Sequence, residues 1–276
     1  MTDADDRARD TPALCASATD SPVAVSLDLV VRVVGHVEIA GWMASTERRL
    51  IMEDLCCFLA FAERAMSTAE VQEAIWPLEG ERGEATVKTV HNTIGRLRQA
   101  VGVEHFPDAV TAGGYRLQGV ATDWGEITRL LEVAAGASVD ESTALRLQVL
   151  AHVRGAPFEG AHATQFHWAF VSGLVSLIVR TLSDCAHELS GELLDAGELL
   201  DAGDASGAEW AARQGLKVSS TDERLWGTAA RAAAMLGTGA CERVWRDAAA
   251  ALGSASDRRA ARVAGSGVPQ TCPKER

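Results

Sequence analysis

The stretch "TVKTVHNTIGRLRQAVG", residues 86–102, decides how the rest of the chain is read. At about 100° per residue, Val87, Val90, Ile94, Leu97 and Val101 fall within one stripe, the pattern of a helix packed by one face. Opposite them stand Lys88, Asn92 and Arg96 at i, i+4 and i+8, flanked by Thr89 and Gln99. Such a row can follow a groove in double-stranded DNA, because Asn pairs with adenine edges in two places and Arg does the same with guanine. His91 and Arg98 sit on the shoulders, where a phosphate contact or an internal ion pair is expected rather than base readout. Any surface helix carries a polar face, so the row decides nothing by itself. The order of the elements around it does.

Upstream, "VAVSLDLVVRVVGHVEIAG" (23–41) is β-branched with Gly35 as punctuation and predicts two strands in a hairpin. In "ERRLIMEDLCCFLAFAERA" (47–65), Leu50, Ile51, Leu55, Phe58, Leu59 and Ala62 recur at helical spacing. "STAEVQEAIWP" opens with a capping box, Ser67 to Glu70, and stops at Pro77. Downstream of the quoted helix, "AVTAGGYRLQG" predicts a β-hairpin turning at Gly113-Gly114, with Arg116 placed for a phosphate or minor-groove contact. A strand pair, three helices and a hairpin, in that order, spell a winged helix over residues 23–122.

From Asp123 to 253 the chain reads as wholly helical, broken by one long loop, "RGAPFEGAHA" (154–163). Ser220 to Glu223 predicts a second capping box before Leu225 and Trp226. Helix pairs with Ala, Leu and Trp on their inner faces predict a short tetratricopeptide-like stack. The fold class is therefore mainly α: a winged helix-turn-helix with small β-hairpins, then an all-α domain. Residues 1–22 and 254–276 lack periodicity and are expected to be disordered tails.

Charge pulls against DNA binding. The 276 residues hold 26 Lys+Arg and 38 Asp+Glu, a formal charge of −12. Residues 23–122 carry 9 Lys+Arg against 13 Asp+Glu, hence −4, and residues 123–252 carry 10 against 18, hence −8. Neither half has the basic footprint that dominates non-specific DNA affinity. Lys88, Arg96, Arg98 and Arg116 are nonetheless clustered, while Glu79, Glu81 and Glu84 stay in the preceding loop. Weak, salt-sensitive binding is the expectation, with a dimer or a partner to help it.

Chemistry is sparse. The six cysteines, at 15, 56, 57, 185, 241 and 272, show no C-x-x-C and no His at ligand spacing, which argues against structural zinc or a disulfide framework. "GEATVKT" (83–89) lacks the Gly-Lys-Ser/Thr ending of a phosphate-binding loop and follows a loop, not a strand. His162 and His167 bracket Phe166 without a spaced nucleophile or metal partner. No catalytic residue, cofactor or metal is expected. "WAFVSGLVSLIV" (168–179) is too short to span a bilayer, which takes about 20 residues, and the acidic start is no secretory signal. A cytoplasmic protein with no membrane partner is the expectation.

"ELLDAGELLDAG" (192–203) is a tandem copy of six residues. One copy would align Ala186, Leu189, Ser190 and Leu193 with the inner face of a paired helix bearing Ala208, Ala212 and Gly215. Two copies turn a continuous helix by about 240°. Either the second copy loops out after Gly197, or the helix is lengthened and its partner displaced. Tolerated slippage and an altered partner surface both fit the repeat.

These residues resemble the actinobacterial antibiotic regulatory protein family, which joins an OmpR-type winged helix to a bacterial transcriptional activator domain. The similarity runs through "AEVQEAIWP", "TVHNTIGRLRQAVG", "AGGYRL" and "TDWGEITRLLE", then "VRGAPFEG", "GAEWAARQGL" and "TDERLWGTAARAAAMLG", covering about residues 25–252. It is nearest to the activator-domain modules at the ends of large, membrane-anchored LysM proteins, without their membrane and LysM parts. The resemblance implies DNA binding through Lys88, Thr89, Asn92 and Arg96 of the third helix and Arg116 of the wing. It implies that the helical domain contacts protein partners or a second subunit. Gly95 departs from a strong helix and weakens it by about 1 kcal/mol relative to Ala. A module that keeps the winged helix for protein contacts, without DNA, is the other reading.

Overall fold

The computed structural model describes residues 29–42, 49–77, 85–162, 164–200 and 204–253. The expected tails, Cys15, Cys272 and the loop acids Glu79, Glu81 and Glu84 lie outside these residues. Three short strands open the described chain: β1 (Leu29–Arg32), β2 (Gly35–His36) and β3 (Glu38–Ala40). Helices α1 (Arg49–Ala60), α2 (Thr68–Ile75), α3 (Val87–Val101) and the short α4 (Ala109–Ala112) follow, then strand β4 (Val120–Thr122). The second half comprises α5 (Asp123–Ala135), α6 (Val139–Ala151), β5 (Pro157–Glu159), α7 (His167–Val171), α8 (Leu174–Leu200), α9 (Ala205–Val218), α10 (Glu223–Leu236) and α11 (Thr238–Leu252). The chain is mainly helical, as its periodicities require.

The expected N-terminal hairpin forms. β1 and β3 are antiparallel, Val31 opposite Ile39, and alternate residues of β1 are buried. β4 adds to the free edge of β1 in parallel, with Leu29 opposite Val120. Its last residue, Thr122, caps α5 by accepting the N–H of Gly125 at 2.9 Å. β2 leaves this sheet and pairs instead with β5 from the second half, Gly35 opposite Pro157 and His36 opposite Glu159. Gly35 is obligatory there: its φ is +118°, and an added Cβ would lie 2.8 Å from that of Arg154.

The predicted loop at 154–163 is thus partly a strand. The chain beyond 163, expected to be helical with no further loop, breaks at Gly173, whose φ of +79° separates α7 from α8. The Ser67–Glu70 capping box is present. The second box is displaced: Asp222 caps α10 by accepting the N–H of Arg224 at 2.9 Å, while the carbonyl of Ser220 receives the indole N–H of Trp226 at 2.8 Å. A carboxylate two residues before Arg224 gains both the cap and an ion pair, which serine cannot.

The wing also departs from the expected hairpin. Asp108 accepts the N–H of Val110 at 2.9 Å and pairs with Arg98 at 3.3 Å, which favours a helical turn over residues 109–112. Gly113 and Gly114, at φ +69° and +143°, then swing Tyr115 away from that turn. Tyr115 and Met66 exchange both backbone hydrogen bonds at 2.8 Å. A side chain at 114 would stand 2.9 Å from the Met66 carbonyl, so only glycine fits. The wing is an extended strap tied to the entrance of α2.

One continuous apolar core runs from Leu29, Leu55, Leu97 and Phe106 through Phe158 and Phe166 to Ile178, Leu225 and Val244. The tandem copy lengthens α8, which continues to Leu200 without looping out at Gly197. The helix pair keeps the register of a single copy. Gly215 abuts Ala186 so closely that an added Cβ would lie 2.6 Å from the alanine methyl, and Leu194 packs with Ala208. Ala186, Leu189 and Ser190 are fully buried. With those positions opposed, α8 runs on to Leu200 beyond its contact at Leu194.

Candidate nucleic-acid interface

Helix α3 packs on α1 and α2. Its buried face is Val90, Thr93, Ile94, Leu97, Ala100 and Val101. Val87, expected in that stripe, is 54% exposed because it opens the helix beyond the reach of its neighbours. Thr93 takes an interior place instead, and its hydroxyl is satisfied by donating to the Thr89 carbonyl at 2.9 Å. Thr86 caps the helix, accepting the N–H of Thr89 at 3.2 Å.

The opposite face is open. Lys88, His91, Asn92, Arg96 and Gln99 are exposed, and Thr89 is half-buried with its hydroxyl 3.0 Å from that of Thr86. Among the described residues, Lys88, Asn92, Arg96 and Arg116 form no hydrogen bond or ion pair. Gly95 lies on this face with nothing within 4 Å of where its Cβ would be, so the helix backbone itself is accessible between Asn92 and Arg96.

Arg98 is differently placed. Its guanidinium is committed to Asp108, and it anchors the turn after α3. That pairing, together with the Val110 N–H, holds the Asp108 carboxyl below the usual carboxylate range, the backbone N–H being the larger cause. Arg116 is exposed at the rim of a polar hollow of about 390 Å³, between the end of α1 and the backbone of residues 117–120. The structure thus keeps Lys88, Asn92 and Arg96 together on one face, puts Arg116 on the strap, and gives Arg98 an internal partner.

The residues that hold this face in place were not singled out by pattern. The buried carboxylate of Asp123 accepts the N–H groups of Val33, Val34 and Trp124 at 2.9–3.0 Å, with Arg154 at 3.7 Å. Asp54, buried in α1, receives the indole N–H of Trp168 at 2.9 Å. Gln165 donates to the Leu50 carbonyl at 3.2 Å. An acidic residue at a helix start ordinarily signals the helix dipole. Nothing in the linear order of Asp123 names N–H groups about ninety residues away.

No family model matches the chain, and no curated protein matches it. A solved structure does: Mycobacterium tuberculosis EmbR in complex with a low-affinity phosphopeptide, at a TM-score of 0.53 and 17% identity, over 90% of this chain and 62% of that one. The two folds are similar. The chain spans under two thirds of the length of EmbR, and at this identity the likeness establishes the winged-helix and helical architecture alone. Among the described residues no group of His, Cys, Asp and Glu could hold a metal ion, and no helix is long and apolar enough to cross a membrane.

Proposed function

We propose that this chain is a transcriptional regulator that binds double-stranded DNA through the exposed face of α3, working in the cytoplasm. The observation that carries the reading is a helix whose buried face packs on α1 and α2, while Lys88, Asn92 and Arg96 stand outward with no partner among the described residues. In a major groove, Asn92 and Arg96 are the base-reading pair, each bidentate contact contributing about 1–3 kcal/mol of discrimination. Lys88 and Thr89 meet phosphates at the start of the helix, and Arg116 meets a phosphate from the strap. Arg98 acts through Asp108 by fixing the turn that leads to the strap. The family resemblance and the EmbR-like fold support this reading.

The helical half contacts a protein partner or a second subunit. Its exposed Phe170, Val171, Met235 and Leu236 support that role. A second reading, a protein-interaction module that keeps the winged helix without DNA, is favoured by the charge of −4 over residues 23–122. One titration separates the two. Fluorescence anisotropy with labelled genomic fragments from around the gene is run across salt, beside the Lys88→Ala/Asn92→Ala/Arg96→Ala variant. Saturable binding to one fragment that weakens with salt and vanishes in the variant supports the regulator. Losing Lys88 alone should lower the salt slope by about 0.9. Negligible binding by both proteins at low salt sinks it in favour of the scaffold.

A further inference from the structure

Where the C-terminal end of α1 meets α7, a cleft of about 570 Å³ opens to solvent. Phe58, Phe61 and Trp168 form its aromatic walls. The Trp168 ring lies 5.5 Å from Phe58 at 68° and 6.0 Å from Phe61 at 47°, so the walls converge without stacking on one another. Met66 and Leu174 complete the apolar lining. The volume lies within the range of pockets that enclose small organic molecules, about 300–1,000 Å³.

The side-chain hydrogen-bond donors around the cleft are largely engaged. The Trp168 indole N–H points inward to Asp54. The Ser172 hydroxyl donates to the Ala169 carbonyl at 3.3 Å. The Arg64 guanidinium is engaged by the Glu70 carboxylate and by the Ala65 carbonyl at 3.2 Å. With the Arg64 charge paired to Glu70, no lining residue offers an anion an unpaired cation. What remains is three aromatic rings and the carboxylate of Glu63, exposed on the rim and without a hydrogen bond or ion pair among the described residues. π-faces and an uncompensated carboxylate attract one class of ligand, a cation carried on an apolar body.

The geometry points to this cleft as a binding site for a small hydrophobic amine or quaternary ammonium compound, its cation held by Glu63 and the aromatic walls. The site is independent of the DNA reading. It adjoins the entrance of α2, since Met66, one of its walls, is the residue whose backbone pairs with Tyr115 of the strap.

The test is isothermal titration of the full chain with benzyltrimethylammonium, beside benzyl alcohol as a neutral probe and 3-phenylpropionate as an anionic one. Saturable binding of the cation with one site per chain is the expected result, with both other probes weaker. Glu63→Gln should weaken the cation roughly fivefold, the size of an exposed charge pair. Phe61→Leu should weaken it about as much through loss of a ring face. Circular dichroism of both variants confirms that the fold persists. Absence of saturable binding, equal affinity for the three probes, or unchanged affinity in both variants would overturn the proposal.

Discussion

Trp168 of α7 donates its indole N–H to the buried carboxylate of Asp54 in α1 at 2.9 Å, across the seam between the two halves of the chain. Around that bond, Phe58 and Phe61 from one side and Phe158 from the other contact the same indole. Helix α1 is also a floor on which α3 rests, so the seam fixes the candidate DNA-binding face relative to the helical half.

Trp168→Phe keeps an aromatic ring in place but removes one hydrogen bond to a buried charge. Such bonds contribute about 1.5–3 kcal/mol. Denaturant titration should show a loss of about 2 kcal/mol, in a single transition for both halves because their core is continuous. Two separated transitions in the parent protein would contradict the shared core.

Asp123 makes a larger contribution because it satisfies several buried backbone groups at once. Asp123→Ala strands the N–H groups of Val33 and Val34, each costing about 1–3 kcal/mol. Asp123→Asn retains one acceptor oxygen. The expected order of stability is parent, then Asn, then Ala, with Ala down by at least about 3 kcal/mol in urea unfolding.

Gly95→Ala should stabilise the protein. The position is mid-helix, its added methyl meets nothing within 4 Å, and alanine exceeds glycine in helix propensity by about 1 kcal/mol. A rise in thermal midpoint without change in the circular dichroism spectrum is the expected outcome. A fall would mean that the face is covered.

Deleting residues 198–203 should leave stability within about 1 kcal/mol of the parent. The α8–α9 register is set by Ala186 against Gly215 and Leu194 against Ala208, all outside the deleted copy. The residues left between Leu194 and Ala208 still suffice for a helix–helix turn. A stable variant that loses its activity would locate a partner surface on the second copy.

Acid should loosen the entrance of α2. The Glu70 carboxyl is held at about 2, from an ordinary 4.5, by the Arg64 guanidinium and then by the N–H of Ser67. A depressed acid contributes its stability above the ordinary value and loses it as pH falls from about 4.5 towards 2. Thermal midpoints of Glu70→Gln should lie below those of the parent at pH 7 and converge with them near pH 2. A gap independent of pH would refute the charge-based account.

Burial should also silence the cysteines. Cys185 is pushed up to about 12 by burial, and burial also pushes Cys56 and Cys57 up. Thiolate, the reactive form, is then scarce at neutral pH. Mass spectrometry after iodoacetamide treatment of the native protein should find these three unmodified, and labelling only after denaturation.

The sequence by itself determined the long helices, apart from the break between α7 and α8, together with the β1–β3 hairpin and the outward face of α3. Those features follow from local spacing: Val90, Ile94 and Leu97 recur with the helical period, and Lys88, Asn92 and Arg96 occupy the other side of the same turn. The Ser67–Glu70 box was legible for the same reason, since cap and partner lie three residues apart. Tertiary structure decided what periodicity cannot encode. The glycine pair at 113–114 predicts a reversal, yet whether the returning chain meets residues 109–112 or Met66 depends on Asp108 being claimed by Arg98 and the Val110 N–H. Arg98 reads as a shoulder cation until its partner is placed. Asp123, Asp54 and Trp168 reach their partners across 90 and 114 positions of sequence. Local pattern reports which face of an element is apolar, and only the folded chain brings a buried carboxylate to the particular N–H groups that make its burial affordable.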